Sequence, residues 1–238
     1  MKNVLAILLL IVVVVLAAPL VLPPGEHKAT PGVGMPWEVT VTEEGASKVF
    51  GLQIGASTLG EARQVLGADA KVAIVAAPGE LGQLEAYFEQ IALGMLTGRM
   101  VATAAVPQAM LTAWRERAAK GEYMESTTRK FTLAEADLPA ALQAPVAALS
   151  FIPSAQLDEA TVISRFGQPA ERVRTGETLE HFLYPEKGLA LTLDAKGKEV
   201  LQYVAPREFA RLREPLLKAR QEAPKTEEKK EEAKPRTP

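Results

Sequence analysis

The alternation of apolar and polar positions predicts a chain built of short strands and helices. Apolar residues alternate with polar ones over 37–42, which is typical of a half-buried strand. The stretch 58–67 instead has the spacing of a short helix, with Thr58 and Glu61 placed as a capping box and Gly67 as its terminator. Three apolar or alternating runs follow at 71–76, 84–91 and 100–106 and predict three strands.

A second amphipathic helix is predicted over 107–123, since Leu111 and Trp114 recur at helical spacing. After a loop-like segment, the order of helix and strands begins again: 149–169 resembles 49–67 at an offset of about one hundred residues. This recurrence predicts an α+β chain of two tandem helix-plus-antiparallel-sheet repeats. The alternative is that the same order of elements arises twice without duplication.

An uncharged apolar run from Val4 to Leu22 precedes this body and would span about 28 Å as a helix. It predicts one N-terminal transmembrane helix, with a cleavable signal peptide as the alternative. The remaining boundaries follow from composition. The predicted segments are the anchor 4–22, a Pro/Gly linker 23–36, a first repeat 37–121, a connecting segment 122–147, a second repeat 148–220 and a disordered charged tail 221–238.

Charge and cysteine content narrow the classes of partner and of chemistry. Lys2 before the apolar run predicts a single pass through the inner membrane with a periplasmic body. A net charge of −2 gives no basic patch for nucleic acid, so none is expected as a partner. The absence of cysteine excludes disulfides, thiol nucleophiles and a lipidated cysteine.

The run from Asp158 to Val204 contains an acidic helix start, Phe166-Gly167-Gln168-Pro169, an aromatic strand ending at Tyr184 and a Lys-Gly-Lys turn. It resembles the SmpA/OmlA-type repeat of the small lipoprotein in the bacterial outer-membrane β-barrel assembly machine. The resemblance implies helices packed on an antiparallel sheet and a binding or scaffolding role in the cell envelope.

No catalytic, metal-binding or cofactor-binding constellation is evident in the sequence. The two histidines are far apart, and His181 fits a packed or hydrogen-bonded strand position better than a ligand or base. A hydrolase using His181 with Glu180 or Glu177 is the enzymatic alternative. The glycines match no phosphate-binding pattern. We therefore expect a protein that is not an enzyme, with no catalytic or metal residues and no cofactor.

Five aromatic residues on predicted strands are the candidate binding residues, because Tyr and Phe supply large contact area at low entropic cost. They are Tyr87, Phe88, Phe182, Tyr184 and Tyr203. If exposed together they would form a contact surface, and if buried they belong to the core. The sequence thus favours a membrane-anchored protein-binding or scaffold module with an envelope protein partner. An inhibitor or chaperone-like binder of a secreted enzyme is the alternative, and the sequence does not indicate an oligomeric state.

Overall fold

The structure is a computed structural model of the 238-residue chain. It describes residues 33–94, 96–124 and 127–222. The predicted anchor at 4–22 lies outside these residues, as do most of the linker and of the tail. None of the helices in the described part is long and apolar enough to cross a membrane.

The described chain is mostly β-sheet, and every strand pairing in it is antiparallel. Its strands are β1 Thr40–Val41, β2 Ser47–Val49, β3 Leu52–Gln53, β4 Lys71–Ala76, β5 Gln83–Leu93, β6 Leu96–Ala104, β7 Lys120–Tyr123, β8 Arg129–Thr132, β9 Val146–Pro153, β10 Glu171–Arg174, β11 Leu179–Tyr184, β12 Leu189–Asp194 and β13 Val200–Val204.

Ten of these strands form one sheet in the order β10-β11-β12-β13-β9-β6-β5-β4-β8-β7, and β1-β2-β3 form a small separate sheet. The two halves of the large sheet meet where β6 pairs with β9, with Val101 opposite Ser150 and Met100 opposite Phe151. Adjacent residues on a strand point to opposite faces of the sheet. All four of these residues are nevertheless buried. Both faces of the sheet are therefore covered at its centre.

Five α-helices accompany the sheets in the described residues. They are α1 Leu59–Leu66, α2 Gln108–Glu116, α3 Leu138–Leu142, α4 Glu159–Phe166 and α5 Ala210–Glu222, with short 3-10 turns at Glu135–Asp137, Pro185–Lys187 and Pro206–Glu208. The main core lies between the large sheet, helices α1 to α4 and the small sheet. A second cluster joins α5 to the opposite face of the sheet through Leu212, Leu216 and Phe209, which directly precedes the helix. Pro215 lies within α5 and does not end it.

Helix α1 begins with the predicted capping box. The Glu61 amide donates to the Thr58 hydroxyl at 3.2 Å, and the Thr58 amide donates to the Glu61 carboxylate at 2.8 Å. Two amides that helix geometry leaves without partners are satisfied in this way. Gly67 follows the helix with φ of 151°, which a glycine adopts without strain.

Replacing Thr58 with alanine is expected to lower the free energy of unfolding by about 1 kcal/mol, because the cap hydroxyl is lost. Thr112→Ala is a matched control: Thr112 is an exposed residue within α2, where alanine is the better helix former. Urea unfolding of the two variants measures the difference. Equal midpoints for both would contradict a stabilising cap at Thr58.

The prediction of two tandem helix-plus-sheet repeats after a transmembrane helix is wrong as a fold class. Strands 71–104 and 146–204 do not build two sheets but join edge to edge in one. The order of elements along a chain does not specify which strand edges pair, and the long-range contact of β6 with β9 decides the architecture. The described chain is better classed as mostly sheet than as two α+β units.

The region between the two predicted repeats is also different from the prediction. The helix expected over 107–123 stops at Glu116, and Lys120–Tyr123 is the edge strand β7. Residues 129–132, expected in a loop, form β8 and pair with both β4 and β7. The predicted connecting segment thus completes one end of the large sheet.

Candidate functional site

The structure does not bring the five candidate aromatic residues together on an exposed surface. Phe88, Phe182, Tyr184 and Tyr203 are buried, and Tyr87 is partly exposed. Tyr87 and Phe88 are neighbours on β5 and point to opposite faces of the sheet. Of the two interpretations made from sequence, the core position applies to four of the five.

Two of these tyrosines hold other parts of the chain in place through their hydroxyl groups. The Tyr203 hydroxyl donates to the carbonyl of Pro36 at 2.8 Å, and the Tyr184 hydroxyl donates to the carbonyl of Gly167 at 3.0 Å. The Tyr203 ring also packs edge-on against the Phe50 ring, with 5.3 Å between the ring centroids. The start of the body is thereby fixed to the centre of the large sheet.

His181 is a buried strand residue with both ring nitrogens hydrogen-bonded. Its Nε2 lies 2.7 Å from the Thr175 hydroxyl and its Nδ1 lies 2.8 Å from the Thr192 hydroxyl. Burial lowers the pKa of His181 to about 4, so the ring is neutral near pH 7. This is the hydrogen-bonded position that the sequence predicts. Glu180 is adjacent on β11 and points to the opposite face of the sheet, so the proposed pairing with His181 is not formed.

A cavity of about 620 Å³ opens at the end of the large sheet, where α4 begins and the β12–β13 hairpin turns. Its wall carries five carboxyl groups and a single guanidinium. They belong to Asp158, Glu177, Glu180, Asp194, Glu199 and Arg174. Three leucines, Leu157, Leu179 and Leu193, supply the apolar part of the wall.

Local hydrogen bonds fix the rim of this cavity. The Thr161 amide donates to the Asp158 carboxylate at 2.7 Å, which caps α4. On the opposite rim, the Lys196 amide donates to Asp194 at 3.0 Å. Lys198 then ties the hairpin to the end of β9 by donating to the Ser154 carbonyl at 3.1 Å. Both rims are therefore held by contacts that do not depend on a ligand.

The charges of the cavity wall are only partly compensated. Glu180 lies 3.4 Å from the guanidinium of Arg174 and 3.8 Å from that of Arg172. Hydrogen bonds from Thr161 lower the pKa of Asp158, so that carboxyl group is ionised near neutral pH. The wall is acidic as a whole, since its carboxyl groups outnumber its guanidinium five to one.

Glu199 is a buried residue of the cavity wall that the sequence analysis did not single out. The residue is 3% exposed, and its Oε2 atom has no hydrogen-bond partner among the described residues. A buried acceptor without a partner is costly, so such atoms are rare in folded proteins. The signal was available: Glu199 precedes β13 at the period-two position of Leu201 and Tyr203, which are both fully buried.

A second buried carboxyl group lies far along the sheet, in its other half. Glu85 on β5 is 5% exposed and stands opposite Thr103 on β6. Burial raises the pKa of Glu85 to about 8, which keeps this side chain protonated at neutral pH. Its position on the central strands suits a structural role.

The described residues contain no group of three or more carboxylate or imidazole side chains arranged to hold a metal ion. The cavity at the end of the large sheet is therefore the candidate functional site on the strength of its shape and its charge. No protein-family model, curated protein or solved structure matches this chain.

Proposed function

We propose that this chain is a non-catalytic protein-binding or scaffold module of the bacterial cell envelope. In this proposal residues 4–22 anchor it in the inner membrane and the body works on the periplasmic side. The apolar run supports the anchor, and the resemblance of 158–204 to the SmpA/OmlA-type repeat supports a binding role. The cavity between α4 and the β12–β13 hairpin is the proposed binding site.

The preformed cavity is the observation that carries this proposal. Its volume of about 620 Å³ falls within the range of ordinary ligand sites, roughly 300–1,000 Å³. Capping of α4 by Asp158 and the hairpin contacts of Asp194 and Lys198 hold its rim. A site that needs no rearrangement binds with a smaller entropic penalty.

The chemistry of the wall favours binding over catalysis. No histidine, serine, cysteine or lysine is among the described residues that line the cavity. The hydroxyl groups of this wall belong to Thr161 and Thr178, and no histidine among the described residues lines the cavity to serve as their base. The buried histidine of the second half, His181, faces away from it and is held by two threonines.

Crosslinking in cells tests the proposal with the full-length chain carrying a C-terminal tag. Thr178→Trp would place a large side chain in the cavity, and Thr112→Trp would place the same side chain on the exposed surface of α2. We expect a specific envelope protein to be captured by the wild type and by Thr112→Trp, and to be lost with Thr178→Trp.

Two outcomes would contradict the proposal. One is recovery of no protein beyond the tagged chain itself, and the other is an unchanged set of captured proteins with Thr178→Trp. If the captured protein is a secreted enzyme whose activity the purified chain lowers, the module is an inhibitor of that enzyme.

A further inference from the structure

We infer that the cavity accepts the cationic end of an arginine or lysine side chain that a partner protein presents. This inference rests on the proposed binding function and adds the chemical class of the group recognised. It is carried by the charge of the wall, by the buried carboxyl group of Glu199 and by the apolar surface beside them.

The charge distribution selects for a cation. Five carboxyl groups share the wall with Arg174, and that guanidinium already contacts Glu180 at 3.4 Å. Carboxyl groups facing a low-dielectric cleft attract positive charge and repel anions. The start of α4 does not reverse this preference, because the Asp158 carboxylate already occupies the helix terminus and accepts from Thr161 at 2.7 Å.

Glu199 gives the cavity a specific acceptor in addition to its general acidity. Glu199 lies on the cavity wall and is 3% exposed, and its Oε2 lacks a hydrogen-bond donor within the described part of the chain. An N–H group of a guanidinium or an ammonium that reached this atom would supply that donor. A bound cation would thus satisfy an atom that the protein itself leaves unsatisfied.

The remainder of the wall suits a side chain better than a metal ion. Among the described residues no three carboxylates converge as metal ligands, although five line the same cavity. Leu157, Leu179 and Leu193 provide apolar surface against which the methylene stem of lysine or arginine can pack. A cavity of about 620 Å³ has room for such a side chain and for part of the backbone that carries it.

Fluorescence anisotropy with a labelled Gly-Arg-Arg-Gly peptide tests this inference on the purified full-length chain in detergent. We expect saturable binding that weakens with added salt, and no binding of Gly-Glu-Glu-Gly. Glu199→Gln should weaken binding at least about tenfold, because it replaces the buried carboxyl group of the cavity wall with an amide. The control is Glu89→Gln, which alters an exposed carboxylate on β5 paired with Lys71 at 3.0 Å.

Glu177→Gln provides a second test that does not depend on a buried position, since Glu177 is an exposed residue of the rim. This substitution should lower the affinity for the peptide by about twofold to threefold, because an exposed charge contributes little. Equal affinity of wild type, Glu177→Gln and Glu199→Gln for the peptide would overturn the inference. Spermidine that competes at the concentration at which the peptide does would also overturn it, by assigning the cavity to a free polyamine.

The crosslinking experiment separates this inference from the proposed function. If Glu199→Gln captures the partner at the wild-type level, the proposed binding function stands and the contact with an arginine or lysine side chain is refuted. Loss of that partner with Glu199→Gln, while Glu89→Gln retains it, is the result expected here. Capture of no partner by any variant would refute the binding function itself, whatever the peptide titration shows.

Discussion

Replacing Glu85 with glutamine is expected to abolish a loss of stability that the wild-type protein suffers between pH 6.5 and pH 8. Burial raises the pKa of Glu85 from its ordinary value of 4.5 to about 8. Between these values the unfolded chain has released the proton that the folded chain still holds. The free energy of unfolding therefore falls as pH rises, by about 1.4 kcal/mol per pH unit for this residue.

His181 has the opposite effect at lower pH, where it makes the free energy of unfolding rise with pH. Its pKa falls from 6.5 to about 4 on folding, so between these values the unfolded chain binds a proton that the folded chain does not. Stability from His181 is complete above pH 6.5 and is lost as pH falls through 4. Between pH 4.5 and 6.5 the effects of His181 and Glu85 on the free energy of unfolding offset each other. Above that range the decrease in stability due to Glu85 remains.

Urea unfolding between pH 4 and pH 9 measures this balance. The wild type should lose about 2 kcal/mol between pH 6.5 and 8, whereas Glu85→Gln should be level there and rise between pH 4 and 6.5. Glu89→Gln is the control, since Glu89 is exposed on the same strand and paired with Lys71. A wild-type decline that persists in Glu85→Gln would contradict the assignment to this residue.

Gly188→Ala is expected to destabilise the fold by about 3 kcal/mol or more. Gly188 has φ of 65°, a left-handed conformation that side chains disfavour, and an added Cβ would overlap the carbonyl oxygen of Val204. The same Cβ would lie 3.0 Å from the Ser47 hydroxyl. That hydroxyl donates to the Lys187 carbonyl at 2.7 Å and holds the small sheet against the large one.

The matched control for Gly188→Ala is Gly176→Ala. No heavy atom lies within 4 Å of a Cβ added at Gly176, and its backbone is not left-handed. Alanine there should change the free energy of unfolding by no more than about 0.5 kcal/mol. Equal urea midpoints for the two variants would show that the close approach of Gly188 to Val204 is not a constraint on the fold.

Local features of the chain could be predicted from the sequence because their causes are local. The cap of α1 by Thr58, the cap of α4 by Asp158 and the turn position of Asp194 each depend on neighbours within three residues. The sequence predicted a packed or hydrogen-bonded strand position for His181 but not its two threonine partners.

Pairing between distant strands could not be predicted in this way. The residues of β6 and β9 at their junction are buried on both faces, which is compatible with any central strand and selects no particular neighbour. Strands β7 and β8 were not predicted because each is only four residues long and lies in a polar segment. The prediction of two repeats therefore failed at the pairing of distant strands and at these two short strands.

The candidate site was missed for a related reason. Its carboxyl groups come from positions between 158 and 199 that are far apart along the chain, and each has an ordinary local interpretation as a cap, a turn residue or a strand residue. The aromatic residues were predicted as the binding residues instead, because few large aromatic side chains occur in a chain with 5% aromatics. Four of them proved to be core residues.

The junction of β6 with β9 has a consequence for how the chain is made. Synthesis proceeds from the N-terminus, so β6, ending at Ala104, exists before β9 begins at Val146. At about 5–20 residues per second, β6 lacks its second neighbour for roughly 2 to 8 seconds. During that interval an apolar strand edge is open to pairing with other nascent chains. The arrival of β9 covers this edge of β6, and the other edge of β9 stays open in turn until β13 is made.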